Sequence, residues 1–193
     1  MKLVYKFYDV ENYQAISDEV YNYVVNHTEI LKPRVPVFFN DVDVLHMLKH
    51  VPILTAFLYQ RSLTPKQIAV VVVMPGATTT LHVDTIDPYV RLLWPVRNCA
   101  GARTKFYDVP REYLELEHNS LGSSNIYYNI IQQKDWPPLG EVEITQPVVF
   151  DASVAHAVYP ALDATEPRIT FTIGFDRDLP ISKSVKAWFG FNR

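Results

Sequence analysis

Gln67-Ile68-Ala69-Val70-Val71-Val72-Val73-Met74, residues 67–74, is the stretch on which the fold turns. From Ile68 to Val73 the run is apolar without a break. That is the pattern of a strand buried on both faces. Before it, apolar residues recur at helical spacing. Tyr13, Ile16, Val20, Tyr23 and Val24 predict one helix, with Asp9 as its cap. Val44, Leu45, Leu48, Val51, Leu54 and Leu58 predict a second helix over about 41–59, capped by Asn40. Pro52 interrupts that stripe, so the alternatives are a kink or two shorter helices.

After the run, short strands follow one another. Pro75-Gly76 makes a turn. Strands are expected at about 79–84, 89–96, 103–109, 126–132, 141–150, 154–159 and 167–175, with a further one at 184–190. Two helices and then a strand series predict a mainly β jelly-roll barrel, cupin-like, supported by α-helices packed outside. At 193 residues we expect a single domain over 1–193, with about 1–65 as helical support and about 66–176 as the β core.

The chemistry concentrates on that core. In Leu81-His82-Val83-Asp84 the imidazole and the carboxylate are two residues apart, which puts both on one face of a strand. A second imidazole, His156, arrives 74 residues later between two alanines. Two histidines and one carboxylate on one face of a metal, with positions left open, are the usual ligands of non-haem Fe(II) oxygenases. The strand Arg168–Phe175 alternates: Ile169, Phe171, Ile173 and Phe175 on one face; Arg168, Thr170, Thr172 and Gly174 on the other. The apolar face suits packing against the helices, and the other suits a pocket wall. A fixed guanidinium binds a carboxylate through two parallel hydrogen bonds, and a threonine two residues along adds a third.

His82-x-Asp84, His156 and Arg168-x-Thr170, in that order, resemble the Fe(II)/2-oxoglutarate-dependent oxygenase superfamily with its double-stranded β-helix fold. The resemblance covers roughly 66–176. Its flavour is similar to small bacterial and phage hydroxylases related to the aspartyl/asparaginyl or phytanoyl-CoA hydroxylase groups, and Arg91-Leu92-Leu93-Trp94-Pro95 is part of that likeness. Prolyl 4-hydroxylases usually carry lysine where Arg168 stands. Vertebrate-type aspartyl/asparaginyl hydroxylases lack the carboxylate ligand that Asp84 supplies. The resemblance implies iron held by His82, Asp84 and His156, and 2-oxoglutarate held by Arg168 and Thr170. It implies use of O2, with ascorbate as a supporting reductant, and hydroxylation of an amino-acid, peptidyl or other small organic substrate with release of succinate and CO2. Asp84 argues against halogenation, which needs that position vacated. The competing class is a non-enzymatic cupin-like binding protein.

Composition is compatible with both. The chain is 48% hydrophobic and 20% charged, with a net charge of −3, so it carries no global basic footprint for nucleic acid. No 18-residue apolar span is present, and the first residues are too polar for a signal peptide. Cys99 is the single cysteine, read as a small residue beside a turn in a protein of the cytoplasm.

Several residues keep two readings. Arg91 either reaches a carboxylate of the co-substrate or substrate, or makes a rim salt bridge. Trp94 and Tyr107 either line the pocket or pack in the core. Arg91, Arg97, Arg103, Lys105 and Arg111 either attract an acidic substrate or form a solvated hairpin edge. Asp151 either orients a ligand or caps a turn. His46 and His50, four apart, read as a polar helix face, since no His-Glu-x-x-His is present. Glu112–Asn125 is expected to be an insert over the pocket mouth.

Overall fold

The computed structural model describes residues 4–27, 36–84, 89–114, 118–120, 127–132 and 134–175. The strand expected at 184–190 and part of the 112–125 segment lie outside the described residues.

Among the described residues, twelve strands pair antiparallel in two six-stranded sheets. The first sheet contains β1 (Tyr5–Phe7), β2 (Val37–Val42), β3 (Pro65–Val73), β5 (Val90–Arg97), β10 (Val148–Asp151) and β12 (Arg168–Phe175). The second contains β4 (His82–Val83), β6 (Arg103–Tyr107), β7 (His118–Ser120), β8 (Tyr127–Ile130), β9 (Pro138–Glu143) and β11 (Ala155–Tyr159). The spatial orders are β1-β10-β5-β12-β3-β2 and β7-β8-β4-β11-β6-β9. Set β1, β2 and the β7–β8 pair aside, and the chain passes between sheets at nearly every step. Late strands insert between early ones, with β12 between β3 and β5 and β11 between β4 and β6. This interleaving is the jelly-roll pairing, and the expected fold class is borne out. The strands form two facing sheets, without a closed ring of pairing among the described residues.

Among the described residues, helices α1 (Tyr13–Asn26), α2 (Val44–His50) and α3 (Pro52–Gln60) cover the outer face of the first sheet. Ile16, Val20 and Val24 of α1 and Leu54, Phe57 and Leu58 of α3 pack in one core with Ile68, Val70, Val72, Trp94, Phe171 and Ile173. This explains the unbroken apolar run. Ile68, Val70 and Val72 lie under the helices, while Ala69, Val71 and Val73 face the other sheet, so both faces of β3 are dry.

Three local expectations need correction. The first 65 residues are not only helical, because β1 and β2 extend the first sheet on its two sides. Asp9 does not cap α1. Its N-cap is Asn12, left-handed at φ 58, with no side-chain cap. Asn40 lies in β2, and Asp43 caps α2 instead, accepting from the His46 N–H at 2.9 Å. Pro52 does split the second helix, and it opens α3 at the first turn, where its missing N–H costs nothing. The orphan N–H groups of Ile53 and Leu54 donate to the Glu19 carboxylate of α1 at 3.0–3.1 Å, a cap supplied by another helix.

Candidate metal centre

His82 and His156 are register partners on adjacent strands β4 and β11, so their rings project together into the space between the sheets, 4.4 Å apart. The Nδ1 of His82 lies 2.7 Å from the Thr80 carbonyl, and the Nδ1 of His156 lies 2.8 Å from the Val154 carbonyl. A carbonyl only accepts, so each Nδ1 carries the proton. Each Nε2 is left with its lone pair toward the pocket, the arrangement that metal-binding histidines share. Burial, and then the neighbouring His156, hold the His82 pKa at about 4, so this imidazole is neutral at physiological pH.

Asp84 follows β4, tied by its N–H to the Ala152 carbonyl at 3.0 Å. Its Oδ1 lies 3.6 Å from the His82 Nε2 and 4.0 Å from the His156 Nε2. One ligand atom from each of the three residues lies within 4.8 Å of the other two. The donor set is therefore convergent, largely buried and of the type that takes Fe(II). The rings of Phe150, Phe106 and Phe39 surround the imidazoles at 5.2–6.4 Å.

The opposite wall of the same cavity comes from the first sheet. Arg168, Thr170 and Thr172 point into it from β12, with Val71 and Leu93 beside them. Arg168 is fully buried, and burial pushes its guanidinium pKa down. Among the described residues no carboxylate pairs with it. Among the described residues its Nε and the buried hydroxyls of Thr170, Thr172 and Thr104 have no hydrogen-bond partners. Four unpaired polar groups in an otherwise apolar cavity are costly unless a ligand answers them. A dianionic acid with one carboxylate at the metal and the other at Arg168 fits that pattern.

Other sequence-predicted residues take definite places. Arg91 does not line the cavity. It is buried behind Asp84, with its Nε 3.0 Å from Oδ2. The contact is an ion pair without the alignment of a hydrogen bond. Trp94 packs under the helices and donates to the Ser17 hydroxyl at 3.2 Å. Tyr107 lies outside the cavity, its hydroxyl 2.9 Å from that of Tyr159. Asp151 accepts from the Ser153 N–H and hydroxyl, capping the turn before β11. The basic stretch is largely paired: Arg97 with Asp18, Arg103 with Glu143 and Lys105 with Glu141. His46 and His50 lie on an exposed face of α2, their rings 4.4 Å apart and tilted by 35°. Cys99 is buried, and its thiol contacts the Arg97 and Ile169 carbonyls at 3.3 Å, beside Arg168. From the 112–125 segment, β7 pairs with β8, and β8 in turn pairs with β4, so the two extend the second sheet.

Sequence reasoning missed Thr104, Phe106 and Gln67. Thr104 and Phe106 alternate with Arg103 and Lys105, a period-2 signal that marks an inward face. Gln67 carries no such signal.

No protein-family model and no curated protein matches the chain. Solved structures do. HygX from Streptomyces hygroscopicus, crystallised with nickel and 2-oxoglutarate bound, aligns at a TM-score of 0.51 and 10% identity over 91% of this chain and 82% of its own. AviO1 from Streptomyces viridochromogenes Tue57 aligns more loosely, at a TM-score of 0.48 and 14% identity over 92% and 91%. A Pseudomonas putida prolyl-4-hydroxylase aligns at 0.46 and 14% over 91% and 92%. Among the described residues no helix is long and apolar enough to cross a membrane. The resemblance read from His82-x-Asp84, His156 and Arg168-x-Thr170 is thus borne out at the level of the fold, which this chain shares with HygX.

Proposed function

We propose that this chain is an Fe(II)- and 2-oxoglutarate-dependent dioxygenase that hydroxylates an amino-acid, peptidyl or other small organic substrate, releasing succinate and CO2. The observation that carries the reading is the buried Arg168, with no carboxylate partner among the described residues, across the cavity from the His82, Asp84 and His156 donors. A buried cation is costly without an anion. An anion with a second, chelating end accounts for both walls at once.

His82 and His156 supply neutral nitrogen ligands, and Asp84 supplies one anionic oxygen. When bound, Fe(II) supplies the dioxygen chemistry that couples loss of CO2 from the co-substrate to oxidation of the substrate. The residues do the rest. Arg168 holds the distal carboxylate, and Thr170 donates to it. Phe39, Phe106, Phe150 and Val158 keep the cavity dry, which strengthens each of these polar contacts. The non-enzymatic alternative has no observation in its favour, since a plain binding barrel has no need of a convergent donor triad.

Titration of Ni(II), and then of 2-oxoglutarate into the Ni(II)-loaded protein, tests the reading. Asp84→Ala should lose stoichiometric metal. Arg168→Ala should cost about 2–5 kcal/mol of co-substrate binding, roughly 30-fold or more. Arg168→Lys, which keeps the charge and loses the fork, should fall between. Thr170→Val should cost about 0.5–1.5 kcal/mol. Wild-type 2-oxoglutarate affinity in Arg168→Ala refutes the assignment.

A further inference from the structure

Gln67, Gly174 and Arg91 form one cross-strand row over β3, β12 and β5. The central strand contributes no side chain there. A Cβ on Gly174 would lie 2.6 Å from the Tyr89 hydroxyl and 3.6 Å from the Gln67 Cβ. Across that gap the Arg91 Nη2 donates to the Gln67 Oε1 at 3.1 Å. Gln67 in turn donates through Nε2 to the Asp41 Oδ1 at 3.1 Å, which leaves its Oε1 facing the arginine. The Tyr89 ring lies under the guanidinium, 5.6 Å from its carbon. The arginine is thus held on several sides, and it presents Nε to Asp84.

The two oxygens of Asp84 are thereby divided. Oδ2 sits 3.0 Å from the Arg91 Nε, while Oδ1 faces the two imidazoles. A carboxylate can ligate through one oxygen or both. Taking both would occupy one more position and narrow the room for a chelating co-substrate. We propose that Arg91, held by Gln67 across the gap at Gly174, is a positioning residue that keeps Asp84 a one-oxygen ligand with Oδ1 turned toward His82 and His156. The proposal rests on the metal reading above and adds to it a cause for the ligand's orientation. It also assigns a role to Gln67, which lies outside the cavity.

Co(II) is the probe, because its visible spectrum reports coordination independently of turnover. In Arg91→Met, Co(II) affinity should fall about 10–100-fold, the usual effect of losing a group that orients a ligand. At saturating Co(II) the spectrum should also differ from wild type, which a mere loosening of the fold would not produce. Arg91→Lys keeps the charge without the fork and should lie between. Gln67 is only half-buried, so Gln67→Leu keeps the test open should Arg91→Met fail to fold. It should shift the spectrum the same way with a smaller loss of affinity. Wild-type affinity and an unchanged spectrum in Gln67→Leu and in any Arg91 variant that folds overturn the positioning role and leave the metal reading standing. Failure of the wild-type protein to bind Co(II), or unimpaired binding by Asp84→Ala, overturns both.

Discussion

Replacing Arg168 by methionine should make the ligand-free protein more stable and weaken co-substrate binding roughly 30-fold or more. Methionine is close in length and apolar, so the cavity wall keeps its bulk. What is lost is a fully buried cation whose Nε has no partner and which faces no carboxylate among the described residues. Effective penalties for burying an ion are several kcal/mol, and apolar replacement of buried charged groups often stabilises by about 1–4 kcal/mol. For a chain of this size each kcal/mol moves the melting temperature by about 2–4 °C. Arg168→Met should therefore melt roughly 2–16 °C above wild type in the absence of ligand. Adding Ni(II) and 2-oxoglutarate should narrow the gap, and reverse it where it is under about 2 kcal/mol. From the co-substrate wild type should gain about 2.7 kcal/mol at 100 times its Kd, and a variant binding about 30-fold more weakly should gain about 0.9 kcal/mol. Calorimetric melts of both proteins, with and without ligands, measure the change. A variant that melts below wild type without ligand would mean that Arg168 is already answered inside the fold, and the argument from its unpaired charge would fail.

Two further outcomes follow from neighbouring contacts. Gly174→Ala puts a Cβ 2.6 Å from the Tyr89 hydroxyl, which donates to the Phe175 carbonyl at 2.6 Å, and should cost about 2–5 kcal/mol from overpacking and the lost hydrogen bond. Urea melts of the Tyr89→Phe/Gly174→Ala double variant should recover at least about 1 kcal/mol of the summed single costs, and strict additivity would contradict the contact. His82 is held at about 4 in the metal-free fold against 6.5 unfolded, so its contribution is complete above 6.5 and is lost as pH falls from there to about 4. The span is worth about 3 kcal/mol, and urea midpoints measured across it should drop more steeply in wild type than in His82→Asn; parallel curves would refute the shift.

The sequence by itself determined the fold class and the placing of the chemistry. The unbroken run Ile68–Val73 and the clean alternation of Arg168–Phe175 are local patterns, and each needs only one strand and its two faces to be read. His82 and Asp84 share a face for the same reason. Helix α1 was legible from period 3.6, and the break at Pro52 from a missing N–H. What the tertiary structure decided lies in pairings between distant segments. Strands β1 and β2 are short and sit at or near the sheet edges, so their residues carry no strong period of their own. Glu19 caps α3 from another helix, and no local signature marks such a cap. The pairing of His82 with His156 depends on strand register. Arg91 turns from the cavity to Asp84 because Gly174, 83 residues away, leaves a gap through which Gln67 can hold it. Periodicity says which face a side chain occupies; only the packed fold says which charge it meets there.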